Sequence, residues 1–233
     1  GCIVRLVRSG FRVVALELPR PSAIRRTVSL SEAVYDGVAE VEEIRAIRYE
    51  EPPAAWDAAI VPILVDPEAS LVPRLAPLAV VDAILAKRNL GTRIDLAPAV
   101  VALGPGFEAG RDAHAVVETN RGHALGRVLL VGCAEADTAV PGSIAGHAAD
   151  RVVRAPAAGS VVALRAIGDA VVAGEPLLTI GGAVARTSIG GVLRGLIRPG
   201  YPAHAGLKVA DVDPRGTRDH CFTVSDKARA VAG

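Results

Sequence analysis

Residues 1–17 read Gly1-Cys2-Ile3-Val4-Arg5-Leu6-Val7-Arg8-Ser9-Gly10-Phe11-Arg12-Val13-Val14-Ala15-Leu16-Glu17. Ile3, Leu6 and Val7 share one face at helical spacing, and Ser9-Gly10 supplies the stop. Phe11 to Leu16 is a short apolar run after a glycine, which predicts a buried strand with Glu17 at its end. A helix, a glycine stop, a buried strand and a terminal acid form the second half of a dinucleotide-binding βαβ unit, where the acid holds a ribose hydroxyl. The first half would be a strand and a Gly-rich turn ending at Gly1. The chain begins at that glycine and contains no Met, so it is expected to lack its native amino terminus. The competing reading of Glu17 is a solvated strand end.

Outward from this stretch the pattern repeats. Residues 19–37 predict a Pro-containing loop and a Ser-rich helix ending at Gly37, and Val38 to Tyr49 predicts a strand. Pro52-Pro53 would open a helix containing Trp56. Ile60 to Asp66 and Leu78 to Leu85 are further buried strands, and Val100 to Leu103 leads into Gly104-Pro105-Gly106. Polar or Gly-rich residues thus follow one apolar strand after another: Glu17, Asp66, Lys87-Arg88-Asn89 and Gly104 to Gly106. In an open parallel sheet, ligands bind beyond the carboxyl ends of the strands. These residues are therefore expected to cluster at one edge of one sheet. An ammonium beside a guanidinium suits a phosphate or carboxylate, and Gly104 and Gly106 would let the backbone approach it closely. Asp82, inside an apolar strand, needs a partner, for which Lys87 or Arg88 is the natural candidate.

From about Arg154 short β runs alternate with glycine turns. Pro156, Gly159 and Val161, then Gly168, Asp169, Val171 and Gly174, follow a spacing that resembles the barrel-sandwich fold of biotinyl and lipoyl domains. Carrier domains of that fold present a modified Lys on the hairpin after the strand that Leu177 to Ile180 would form. Here the hairpin reads Gly181-Gly182-Ala183-Val184-Ala185-Arg186, with no amine to acylate, so biotin and lipoate are excluded. The expected architecture is α/β: a Rossmann-like parallel-sheet portion lacking its first strand over 1–150, a small β barrel-sandwich domain over 151–205, and a segment over 206–233 returning to the α/β part. The last run is expected to be a helix capped by Ser225 or Asp226.

Composition agrees with such a core. Half the chain is apolar but only 3% is aromatic, so Val, Ala, Leu and Ile must fill the interior, as suits a flanked parallel sheet. With 26 basic and 25 acidic residues, nothing points to nucleic acid. Cys2, Cys133 and Cys221 are scattered and odd in number, which fits a reducing, cytoplasmic compartment. No apolar run reaches the roughly 18–20 residues of a membrane span, and no secretory signal is present.

Several stretches carry a family resemblance. They are Arg8 to Phe11, Ile24 to Val28 with Glu32 to Tyr35, Val81 to Gly91, Leu103 to Phe107, His114 to Thr119 through Gly122-His123 to Val128, Asp213 to Gly216, and Cys221 to Ala230. Over nearly its whole length the chain resembles the bacterial selenium-dependent molybdenum hydroxylase system proteins. That family begins with a strand and a G-x-G-D-x-A-T-G turn, of which Gly1 corresponds to the last glycine. The resemblance implies an accessory role in maturing or supplying a molybdenum centre, with the hydroxylase or its maturation proteins as partners. It implies no particular reaction. The ligand would be a dinucleotide or a molybdopterin-type molecule. The alternative is an NAD(P)-dependent oxidoreductase or transferase using the Rossmann-like site directly. Whether the chain is an enzyme, and whether it forms a homo-oligomer, is left open by the sequence.

The chemical candidates are few. Cys221 lies in a matched motif beside His220 and an expected helix start, where a lowered thiol pKa would let it hold sulfur or selenium as a persulfide-type adduct; a small buried residue is the plainer reading. His114, Glu118 and His123 are candidates for acid/base chemistry, although their spacing is no known zinc pattern and no metal is expected. A hydrogen-bonded structural network, with Arg121 neutralising Glu118, is their alternative. Arg25-Arg26 would clamp an anion or serve as a solvated basic pair.

Overall fold

The computed structural model describes residues 1–138 and 140–233. In chain order the strands begin with β1 (Ala15–Glu17), β2 (Val38–Val41), β3 (Ile44–Tyr49), β4 (Ile60–Val65), β5 (Ala79–Asp82), β6 (Ala99–Leu103), β7 (Glu108–Ala109), β8 (Ala115–Val117) and β9 (Val128–Leu129). They continue with β10 (Gly132–Cys133), β11 (Val152–Arg154), β12 (Gly159–Ala163), β13 (Ala170–Val171), β14 (Pro176–Ile180), β15 (Ala183–Arg186), β16 (Gly191–Leu196), β17 (Pro202–Ala203) and β18 (Lys208–Asp213). The α-helices are α1 (Cys2–Arg8), α2 (Ala33–Asp36), α3 (Val72–Leu75) and α4 (Asp226–Ala232). The fold is mixed α/β, with parallel and antiparallel sheets and far more strand than helix. No helix among the described residues is long and apolar enough to cross a membrane.

The chain divides into two compact units that interleave along the sequence. One comprises Gly1–Phe11, Asp66–Val140 and Ser225–Gly233; the other comprises Arg12–Val65 and Pro141–Val224. The sequence predicts one parallel sheet, but its strands are shared between two sheets, one in each unit. The connections also differ from the expected pattern of long helices. Residues 83–98 carry Gly91, Pro98 and one 3-10 turn, and Gly104-Pro105-Gly106 follows β6; glycine and proline are the poorest helix formers.

In the Arg12–Val65 and Pro141–Val224 unit, a sheet runs in the order β1-β4-β3-β2. Val61, Ile63 and Leu64 of β4 are buried, so the apolar run is covered on both faces, as a central parallel strand requires. β1 and β3 flank it in parallel, with Ala15 opposite Ile63 and Arg45 opposite Ile60. The single strand expected from Val38 to Tyr49 is a hairpin, with Val41 opposite Ile44. Glu42 and Glu43 turn the chain at φ of 47° and 72°. The expected Ser-rich helix is reduced to two 3-10 turns and the one-turn α2, although Gly37 does end it at φ 78°. The helix expected after Pro52-Pro53 is absent; Trp56 lies under the Arg12 guanidinium, 4.9 Å from ring centroid to Cζ.

The same unit holds two antiparallel sheets, β11-β18-β16-β13 and β15-β14-β12-β17. Their inner faces share one core that includes Leu177, Leu178, Ile180, Leu193, Leu196 and Val212. The two sheets do not close into a barrel. Gly181 and Gly182, both at positive φ, turn β14 into β15 with Ile180 opposite Ala183.

In the other unit the sheet runs β5-β6-β8-β9, with β5, β6 and β8 parallel and β9 antiparallel. Val100, Ala102, Phe107 and Val116 form its core. Helix α1 packs against α4. The Ser225 hydroxyl caps α4 by accepting from the Ala228 N–H at 3.2 Å, as the sequence predicts.

Candidate functional site

The strongest convergence of the expected site residues lies at the carboxyl ends of β5, β6 and β8. Asp82 ends β5 and is buried. Its carboxylate accepts from the Ile84 N–H at 3.0 Å and the Thr92 hydroxyl at 2.5 Å. Of its two expected partners, Lys87 and Arg88, Lys87 instead lies 3.6 Å from Asp137. Asn89 organises the same loop: its side-chain carbonyl accepts from the Gly91 and Thr92 N–H groups, and its amide donates to the Thr92 carbonyl, each at 2.8 Å. Leu85 and Lys87 occupy left-handed backbone conformations at φ of 58° and 64°. Two strained non-glycine residues within one loop mark a segment held for something other than its own local preference.

The loops after β6 and β8 close on this one. A Cβ on Gly106 would stand 2.5 Å from the Arg88 Cα, so the glycine brings two backbones into direct contact. A Cβ on Gly104 would stand 2.6 Å from the Thr119 Oγ1. Gly106 thus brings the turn after β6 against the Lys87-Arg88-Asn89 loop, while Gly104 lies against Thr119.

Two further cations, Lys227 and Arg121, lie near them, and only Lys227 was not singled out by the sequence reading. Lys227, half-buried on α4, has its ammonium pKa pushed down by burial and then by Lys87 and Arg121, while Glu118 and Asp137 pull the other way. Arg121 holds Asp226 through two hydrogen bonds of 2.8 and 3.1 Å, rather than neutralising Glu118. No local signal marks Lys227; it reaches the site only because α4 returns to this unit. The arrangement collects ammonium and guanidinium donors where three strand-end loops meet, which suits anion binding.

The remaining candidates lie elsewhere. Glu118 is 3% exposed and accepts from the Asn120 and Glu135 N–H groups at 2.6 and 2.7 Å, so it latches two loops instead of facing a substrate. His114 sits at the opposite, amino-terminal end of β8, where its Nδ1 accepts from the Val100 N–H at 3.0 Å. His123 is exposed on the turn before β9. The three therefore form no cluster, because β8 spans only Ala115–Val117 between His114 and Glu118. Among the described residues no group of three or more His, Cys, Asp or Glu side chains is arranged to hold a metal. Gly1 lies against α4, where a Cβ would stand 2.6 Å from the Ala228 carbonyl oxygen.

Glu17 belongs to another sheet, in the other unit, so the single shared edge expected from the sequence does not exist. Burial pushes its carboxyl pKa up against the opposing Leu18 N–H, which donates to it at 3.1 Å. Arg25 and Arg26 are not an open clamp. Arg25 donates to the His220 and Thr223 carbonyls at 2.9 and 3.2 Å, and Arg26 donates to the Leu196 carbonyl at 2.8 Å. Cys221 is fully buried at the end of a 3-10 turn, several residues before α4 begins. Burial pushes its thiol pKa up despite Arg25 and Arg194, and its Sγ donates to the Leu193 carbonyl at 3.7 Å. The lowered thiol pKa expected from a helix start is therefore reversed.

The chain is 47% identical over 236 residues to "Uncharacterized protein YqeB" of Escherichia coli strain K12. The alignment covers the whole of this chain and 44% of that protein, so the chain spans less than half the length of its relative. No family model matches the chain. No solved structure matches it either.

Proposed function

We propose that the carboxyl edge of β5, β6 and β8 binds a phosphate-bearing molecule, a nucleotide or a pterin-linked phosphate, in an accessory protein of a selenium-dependent molybdenum hydroxylase system. The observations that carry the binding reading are the backbone contact between Gly106 and Arg88 and the mutual repulsion of Lys227, Lys87 and Arg121. The contact fixes two strand-end loops against one another, and the repulsion marks a local excess of cations. The accessory role rests on the family resemblance quoted above, with a cytoplasmic hydroxylase or its maturation proteins as partners. In fold terms, the parallel strands are taken as Rossmann-like elements. The two antiparallel sheets, whose strands lie between Val152 and Asp213, are taken as a barrel-sandwich module of biotinyl/lipoyl type, whose Gly181-Gly182 hairpin offers no lysine.

Calorimetry of the full-length protein against nucleotides and molybdopterin tests the site. A Lys87→Ala/Arg88→Ala double variant is expected to bind more weakly, since each charge-assisted hydrogen bond lost is worth roughly 1.5–3 kcal/mol. Two losses correspond to about two to four orders of magnitude in Kd. Unchanged affinity in the folded double variant would move the site off this edge. A strain lacking the protein is expected to make the hydroxylase polypeptide with lowered activity, and full activity there would remove the accessory role. Turnover of a nicotinamide dinucleotide by the purified protein would favour the oxidoreductase reading instead.

A further inference from the structure

The second observation comes from the other unit and is independent of that crevice. Asp211 and Asp213 alternate along β18 and so share one face of the β11-β18-β16-β13 sheet. Both are buried, Asp213 completely. Arg194 sits where the β16 register shifts between Leu193 and Gly195, and lies 3.2 Å from Asp213. Arg151, just before β11, lies 2.5 Å from Asp211. Residues around Ile24 and the 3-10 turn Arg218–Cys221 complete this layer: the Leu196 N–H donates to the Ile24 carbonyl at 2.7 Å, and Arg25 reaches the carbonyls of His220 and Thr223.

The layer is crowded with positive charge. Arg215 also binds Asp213, at 2.6 Å, and Lys208 lies 3.7 Å from Asp211. With Arg25, five cationic side chains face two carboxylates. Arg25 is not relieved by this arrangement. Burial and then repulsion from Arg194 lower its guanidinium pKa to about 10, against the attraction of Asp211 and Asp213. The Nε atoms of Arg25, Arg151 and Arg194 and the Nδ1 of His220 are buried without a hydrogen-bond partner among the described residues. Arg194 is itself 7% exposed. A buried donor left unsatisfied costs roughly 1–3 kcal/mol, more when it is charged.

We infer that this layer is a binding site for a small inorganic oxyanion of the phosphate or sulfate class. A multivalent oxyanion supplies several acceptor oxygens at once and offsets more than one positive charge, which a halide cannot do in the same volume. Guanidinium groups match its geometry. Arg215, His220 and Lys208, whose side chains are between a third and two fifths exposed, stand at the solvent side of the layer and give the ion its route in. Because Arg194 and Asp213 are buried, the ligand assigned is the free ion rather than a nucleoside.

The test uses the whole chain in the Lys87→Ala/Arg88→Ala background, which removes the crevice as a competing site. Titration with inorganic phosphate and sulfate is expected to give saturable binding in calorimetry and a higher melting temperature than chloride at equal ionic strength. Arg194→Met should abolish this binding. Arg215→Gln, a partly exposed position where Asp213 keeps its Arg194 contact, should weaken it about tenfold or more, and it decides the matter if Arg194→Met does not fold. Equal stabilisation by chloride, or no heat of phosphate binding, overturns the proposal. So does wild-type affinity in a folded Arg215→Gln protein. Binding of ADP in preference to phosphate overturns the assignment to the free ion.

Discussion

Gly106 joins two loops by having no side chain. At φ 104° and with the Arg88 backbone where a Cβ would be, it cannot be replaced without moving the Lys87-Arg88-Asn89 segment. Gly106→Ala is expected to destabilise the protein by about 1–3 kcal/mol from backbone strain alone. It should also weaken phosphate-ligand binding, since the cations ride on the displaced loop. Thermal unfolding and calorimetry of the variant check both effects; wild-type values for both would mean that the loops are not coupled. The Gly104-Pro105-Gly106 turn was legible in the sequence because glycine and proline declare their backbone needs locally. Cys221 and Arg25 were not, because their environments are set by residues far away in sequence: Leu193 under the thiol, and His220 and Thr223 as acceptors for the guanidinium. Position beside a histidine and near a helix suggested reactivity, and three-dimensional burial reversed it.

Hairpins expose the limits of periodicity at the level of elements. The run from Val38 to Tyr49 alternates well enough to suggest one strand, and nothing such as Asn-Gly interrupts it. Yet Glu42 and Glu43 adopt the two consecutive positive φ values of a tight hairpin turn, a geometry usually given to Gly, Asn or Asp. Glu43 is exposed, whereas the Glu42 carboxylate accepts from the Val224 N–H at 2.7 Å. Replacing only the exposed residue, Glu43→Gly, should therefore relieve strain without losing a contact. An increase in stability of about 0.5–1 kcal/mol is expected, read from denaturant unfolding; a loss of stability would show that the Glu43 side chain contributes more than its backbone costs. By contrast, α1 with its Ser9-Gly10 stop, β4, β6 and the Ser225 cap were all readable, because each is decided within a few residues by apolar spacing or a terminal residue.

Across the whole molecule, the partners of each strand were what the sequence concealed. β1, β4, β5 and β6 are all short apolar runs with nothing in their composition to say which pairs with which, and the division into two sheets follows from pairings made over long separations. The charged layer on β18 has a consequence at this scale as well. Burial acts to raise the Asp213 carboxyl pKa, but hydrogen bonds from Arg215 and the charge of Arg194 overcome it and hold the value at about 2, below the ordinary 3.8. Its contribution to stability is therefore present above the ordinary value and is lost as pH falls through the folded one. Glu32 works in the opposite sense, since burial raises its carboxyl pKa against the hydrogen bond from Arg198. The gap in melting temperature between the wild type and Asp213→Asn isolates the former. It should be widest near neutrality and close as pH falls from 3.8 towards about 2; a constant gap would mean that the Asp213 charge does not support the fold. The interleaving of the two units also bears on time. One unit gathers α1, the segment Asp66–Val140 and α4, while the other is assembled from the two stretches between. During synthesis, α1 has no packing partner until residues 225–233 have been made. Such distant closures slow folding and prolong the exposure of unpaired apolar strands, so this unit stays open to aggregation until residues 225–233 have left the ribosome.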